Sequence, residues 1–183
     1  MLGVGYSTDA KFTDRQAWKG GRVPGTQIRF DPKLVDALLA EHQQMLAAWE
    51  HFEIACEKEK LPQVAELLKS LDEQMLQHRM QEDVKLMIFI EKRYNDNDQM
   101  ATLLAMFRKE RDALKKEIAE FFSKYGTLAE HPELIVELRK DVAQATHSVM
   151  NMIDAEEQNF FPLYNLELDV GRSKTTHAKE SVS

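Results

Sequence analysis

His78 and Glu82 lie four residues apart in the stretch from Leu71 to Phe89, where Leu71, Met75, Leu86 and Phe89 recur at steps of three and four. That recurrence marks a helix face turned to a core, and the face passes through 71, 75, 78, 82, 86 and 89. An imidazole and a carboxylate so spaced project the same way, one turn above the other. They stand where leucine is expected, so burial obliges them to find partners inside the protein. Imidazole nitrogen with carboxylate oxygen is a donor set for metals of the Fe, Mn and Zn type.

Three other polar residues interrupt apolar stripes in the same way. His42 sits in the stripe Val35, Leu38, Leu39, Met45, Leu46, Trp49 and Phe52. Arg111 falls between Phe107 and Leu114 in the stripe Met100, Leu103, Leu104, Ile118, Phe121 and Tyr125. Glu156 falls between Met152 and Phe160 in the stripe Ile135, Leu138, Val142, Ala145, Val149 and Leu163. His51 and His147 are each nine residues from a buried position, half a turn out of phase, and should face solvent. A lone histidine on an apolar face is usually a satisfied core residue. His42 gains weight from the other polar groups that also need partners.

The elements that must position these groups are helices. The first opens at Asp31-Pro32, an acidic cap with proline at the first helical position. The second opens near Pro62 and fades at Tyr94, where Asn95-Asp96-Asn97-Asp98 supplies a turn and a cap. The third stops at Gly126, and the fourth starts around Pro132. Four helices with short turns predict an all-α, antiparallel up-down-up-down four-helix bundle over residues 31–166. Antiparallel packing would bring His42, His78, Glu82, Arg111 and Glu156 toward one level.

Residues 1–30 hold five of the seven glycines and read as an extended arm, net +3 from Lys11, Arg15, Lys19, Arg22 and Arg29 against Asp9 and Asp14. Trp18 and Phe30 would anchor it, on its own domain first and on a partner second. Residues 167–183 read as a disordered polar tail. A net charge of -7 argues against broad nucleic-acid binding. The lone Cys56 suits a reducing cytoplasm. No apolar run of membrane-spanning length and no secretion signal is seen.

HRMQEDVKLMIF and MIDAEEQNFFPLY resemble the two HxxxE-type segments of hemerythrin-like (HHE) domains. AEHQQML is similar to the first-helix histidine segment of that family, and RKERDAL falls where the family usually has Glu-His. The resemblance implies a four-helix bundle that holds two irons with five histidines and two bridging carboxylates. It places His42 and His78 as first- and second-helix ligands, and Glu82 and Glu156 as the acids. The departures are that Arg111 takes the third-helix ligand position and Met152 the place of the fourth-helix histidine. A diiron oxygen carrier is therefore not expected.

Two readings follow. His42, His78, Glu82 and Glu156 form a His2Glu2 set for a single Fe, Mn or Zn ion. Against it, two glutamates, Arg111 and one protonated histidine already sum to neutrality, and a divalent ion would leave about +1 in the core. That count leans toward a metal-free polar core, with Arg111 expected within hydrogen-bond distance of Glu82 or Glu156. No phosphate loop or nucleophile with a base appears, so the expected role is sensing or regulation, bacterial and cytoplasmic, with a protein partner, and not catalysis. The alternative is a metal-free interaction bundle that binds a sigma factor. Regulator-of-sigma-D (AlgQ-like) proteins are similar in layout, through LVDALLAEHQQMLAAW and HRMQED.

Overall fold

The computed structural model describes residues 22, 23 and 25–165. Helix α1 spans Leu34–Glu57. Helix α2 covers 61–93 in three joined pieces, Leu61–Gln81, a π turn at Glu82–Met87 and Ile88–Arg93. Helix α3 spans Asp98–Tyr125. A 3-10 turn at Pro132–Leu134 opens α4, which runs as Ile135–Ala155, a π turn at Glu156–Phe160, and helix to residue 165. The four helices form the bundle the stripes predict. No strand lies in the described part of the bundle, and the isolated bridge between Arg22 and Arg29 belongs to the arm.

Local chemistry sets the ends. Asn97 caps α3, its Oδ1 accepting from the Met100 amide at 3.0 Å. Pro62 occupies the first turn of α2, where its missing N–H costs nothing. The α1 start is later than expected. Asp31 Oδ1 accepts from the Lys33 amide at 2.9 Å and its carbonyl from Leu34, so Asp31-Pro32 builds a turn that delivers the helix at Leu34.

The core is two apolar clusters with a polar layer between them. One gathers Trp49, Phe52, Leu68, Leu71, Ile118, Phe121, Tyr125 and Val149; the other gathers Leu38, Leu86, Ile90, Phe160, Phe161 and Tyr164. Each fully buried large side chain contributes about 1.5–3 kcal/mol, so two such clusters can carry a layer that by itself is costly. That layer is His42, His78, Glu82, Arg111 and Glu156, all buried. Leu46, expected inside, is 37 % exposed, because the stripe of α1 is narrower than its run of apolar residues.

The described end of the arm packs on its own domain. Val23 is fully buried, and Phe30 stacks on Tyr164 with ring centroids 5.0 Å apart. Residues 1–21, with Trp18, and the tail from 166 lie outside the described residues.

Candidate metal centre

Both π turns begin at a layer glutamate, one at Glu82 and one at Glu156. A π turn inserts one residue into the helical repeat and rotates everything beyond it. After Glu156 the buried positions become Phe160, Phe161 and Tyr164, and Leu163, assigned to the stripe by strict periodicity, is only half-buried. After Glu82 the adjacent pairs Leu86–Met87 and Phe89–Ile90 are buried for the same reason. π turns concentrate at functional sites, and here each one starts at a residue of the polar layer.

The two histidines are fixed from outside. His42 Nδ1 lies 2.8 Å from Glu157 Oε1, and His78 Nδ1 lies 2.7 Å from Glu41 Oε2. Gln81 in turn donates to Glu41 Oε1 at 2.9 Å. The His42 ring stacks on Phe161, centroids 5.4 Å apart and planes 17° from parallel. A carboxylate at Nδ1 selects the Nδ1–H tautomer and turns the bare Nε2 inward. The two Nε2 atoms meet at 3.0 Å. Two bare nitrogens at that distance repel, and only a cation between them, a proton or a metal ion, makes the contact favourable.

The carboxylates complete the set from the other side. Glu156 Oε2 is 3.4 Å from His42 Nε2 and 4.0 Å from His78 Nε2, and Glu82 Oε2 is 3.9 Å from His78 Nε2. One donor atom from each of the four residues lies within 4.8 Å of the others. Both oxygens of Glu82 and both of Glu156 find no hydrogen-bond partner among the described residues. Bonds of about 2.1 Å to one ion put tetrahedral ligands about 3.4 Å apart. The His42 and Glu156 atoms stand at that spacing, the two Nε2 atoms are closer at 3.0 Å, and the contacts of His78 with Glu82 and Glu156 are wider at 3.9 and 4.0 Å. Four orphaned carboxylate oxygens facing two inward nitrogen lone pairs fit a divalent cation.

Burial governs the protonation of these groups. It pushes the Glu82 carboxyl up to about 8, with Glu156 adding to the shift while His78 and Arg111 oppose it. It pushes Glu156 up to about 7 against the pull of Arg111. While both are ionised neither can donate to the other; a proton held on one would pair one oxygen of each and leave two unpartnered. Burial also pushes His78 below the ordinary imidazole range, although Glu82 and Glu41 pull it up. A neutral imidazole is the form that binds metal.

Arg111 is buried as the α3 stripe predicts, but its partner differs from the expected one. Its Nη2 donates to Asp83 at 2.7 Å, an acceptor shared with Lys115 at 3.0 Å. Its Nη1 is 4.0 Å from Glu82 Oε2, within ion-pair range and outside hydrogen-bond range, and no ion pair with Glu156 forms. The guanidinium lies over Phe160, 5.3 Å from the ring centroid. The π turn places Asp83 beside Glu82 on the α3 side, and the half-exposed carboxylate draws the guanidinium outward.

This revises the charge count. With every carboxyl ionised, Glu82, Glu156, Asp83, Glu41 and Glu157 face Arg111 and Lys115, a formal -3 with neutral imidazoles; a proton held on Glu82, pushed up to about 8, makes it about -2 without metal. A divalent ion would bring the layer to about -1 instead of +1, so neutrality does not speak against metal. The three residues that change the answer, Glu41, Glu157 and Asp83, each sit next to a layer residue in sequence. Their positions beside the stripe read as ordinary solvent-facing acids. Only adjacency to a buried ligand could have drawn attention to them. As expected, His51 and His147 are exposed, as is His131.

The sequence pattern of the hemerythrin HHE cation binding domain matches residues 33–164. Neither a curated protein nor a solved structure matches the chain significantly. With four helices in place, a matched span well over half the chain, and a buried histidine-glutamate cluster across the middle, the chain belongs to the hemerythrin HHE cation-binding family.

Proposed function

We propose that this chain binds one divalent ion of Fe, Mn or Zn through His42, His78, Glu82 and Glu156, and serves as a sensing or regulatory protein rather than a catalyst. The observation that carries the reading is the pair of inward Nε2 atoms at 3.0 Å beside four unpartnered buried carboxylate oxygens. Two nitrogens and two carboxylates suit these three metals. The stoichiometry follows from the donors. His51, His131 and His147 face solvent, Met152 offers no imidazole, and Arg111 fills the α3 position, so among the described residues the layer has imidazoles for one ion.

When bound, the metal would supply a Lewis-acidic or redox-active centre. The chain's own residues do the rest. Glu41 and Glu157 hold the imidazoles, Glu82 and Glu156 neutralise the ion, and the apolar clusters on both sides exclude water. A site closed in this way favours reporting an occupancy or redox change through the bundle over turning over a bulky substrate. No helix of the described residues is long and apolar enough to cross a membrane.

Elemental analysis of protein purified without added metal tests the reading. About one ion of Fe, Mn or Zn per chain is expected. A content below about a tenth of an ion, with no uptake on reconstitution, would transfer the function to the bundle surface, as in a metal-free regulator of the sigma-factor-binding type. Iron loading followed by oxidation should give no charge-transfer bands of an oxo-bridged ferric pair; their appearance would mean two ions.

A further inference from the structure

We propose that Glu41 and Glu157 are positioning residues that set the metal affinity of the layer by locking both imidazoles with Nε2 inward. This rests on the reading of His42, His78, Glu82 and Glu156 as one cation site. The geometry is crosswise. Glu41 follows α1 into the layer beside His42, yet its carboxylate holds His78 of α2. Glu157 stands next to Glu156 on α4, yet holds His42 of α1. Each histidine is thus fixed by a carboxylate from another helix, and Glu41 is itself fixed by Gln81.

The lock has a physical consequence. A free neutral imidazole carries its proton on either nitrogen, and its ring turns about two side-chain torsions. An acceptor within 2.8 Å of each Nδ1 removes both freedoms at once. What remains is one pair of lone pairs, directed at a common point between the glutamates. The carboxylates are 32 % and 37 % exposed, so they are bonded to the rings without being cut off from water. Removing either leaves the cation ligands untouched and the apolar clusters intact. Outer carboxylates on ligating histidines typically carry about 10–100-fold in metal affinity.

The test uses the full chain and Co2+ or Zn2+ as the probe. Glu41→Ala and Glu157→Ala should each weaken Co2+ binding about 10–100-fold in a chelator competition, with unchanged helical content. Glu41→Gln and Glu157→Gln retain an acceptor oxygen and should recover most of that loss; a side chain acting only through its charge would lose as much with glutamine as with alanine. In 15N spectra of the histidine rings, the parent should show protonated Nδ1 on both His42 and His78, without metal and with Zn2+. Glu41→Ala should lose that pattern on His78, and Glu157→Ala on His42. Alanine variants that bind Co2+ within about threefold of the parent, or a parent whose Nδ1 atoms are bare, would overturn the assignment. If the parent takes up neither ion, the single-metal reading fails, while the ring-nitrogen pattern of the metal-free protein still decides whether these carboxylates position the rings.

Discussion

The polar layer has two halves that are built in opposite ways. On the histidine side every ring nitrogen has a contact: Nδ1 atoms on Glu41 and Glu157, and Nε2 atoms on each other. On the carboxylate side Glu82 and Glu156 have four unpartnered oxygens, and Arg111 has unpartnered Nε and Nη1. A buried polar group without a hydrogen bond is costly, so the second half weakens the metal-free fold, while the first supports it through the Nδ1 contacts and a proton shared between the Nε2 atoms. Binding energy would come from the two halves in different ways: the histidines are preorganised donors, and the carboxyls are buried groups without hydrogen bonds, disfavoured as anions by burial, that a cation would satisfy.

The largest expected effect is the relief itself. Zn2+ present at about 100 to 1,000 times its dissociation constant should raise the unfolding free energy by about 3–4 kcal/mol through linkage. A urea midpoint unmoved by the ion would mean that the carboxylate half needs no cation.

Next come substitutions that should move stability in opposite directions. Glu82→Met removes a buried carboxyl that makes no hydrogen bond and should stabilise the metal-free protein by about 1–3 kcal/mol while abolishing metal binding. His42→Leu removes the nitrogen with which His78 Nε2 shares a proton in the metal-free protein, and should destabilise that protein by about 1–3 kcal/mol. Equal losses in both variants would erase the distinction between the halves.

The pH dependence sharpens the same contrast. A carboxyl raised to about 8 binds its proton more tightly in the folded state than in the unfolded one. Its stabilising effect is full below the usual carboxylate range and is lost as pH rises through about 8. The metal-free protein should therefore melt at a lower temperature at pH 8.5 than at pH 7, a window in which unfolded histidines are already neutral. With Zn2+ bound the slope should shrink, because the ion requires the deprotonated carboxylates. A metal-free melting temperature that climbs over this window would contradict the orphaned state of Glu82.

The smallest effect is assigned to Arg111. Its one hydrogen bond goes to the half-exposed Asp83, and Arg111→Leu also removes two unpartnered donors. Loss of about 1 kcal/mol is expected, well short of the 3–5 kcal/mol typical of a broken buried pair. A loss of that larger size in urea would show that the guanidinium acts on Glu82 across their 4.0 Å separation.

Within the layer, legibility in the sequence differed residue by residue. His42, His78, Glu82, Arg111 and Glu156 were each visible as polar interruptions of an apolar stripe, and all five are buried together. Glu41, Glu157, Asp83 and Gln81 were not, because a partly exposed acid or amide beside a stripe looks like any surface residue. Phe161 and Tyr164 were missed for another reason. Strict helical counting carries the stripe to Leu163, and the π turn at Glu156 rotates the helix past it.

The start of α1 was not readable in the amino-acid order, but the number of helices, the cap at Asn97 and the identity of the layer's buried polar residues all were. Those follow from period, from cap and breaker residues, and from which face is apolar, all properties of one segment at a time. The tertiary structure alone decided which carboxylate holds which imidazole, that Arg111 turns to Asp83, and that the layer is net acidic. Each of these depends on the axial register between helices, to which the spacing within any single helix is blind. A shift of one turn, about 5.4 Å, would leave every stripe intact and exchange every partner in the layer.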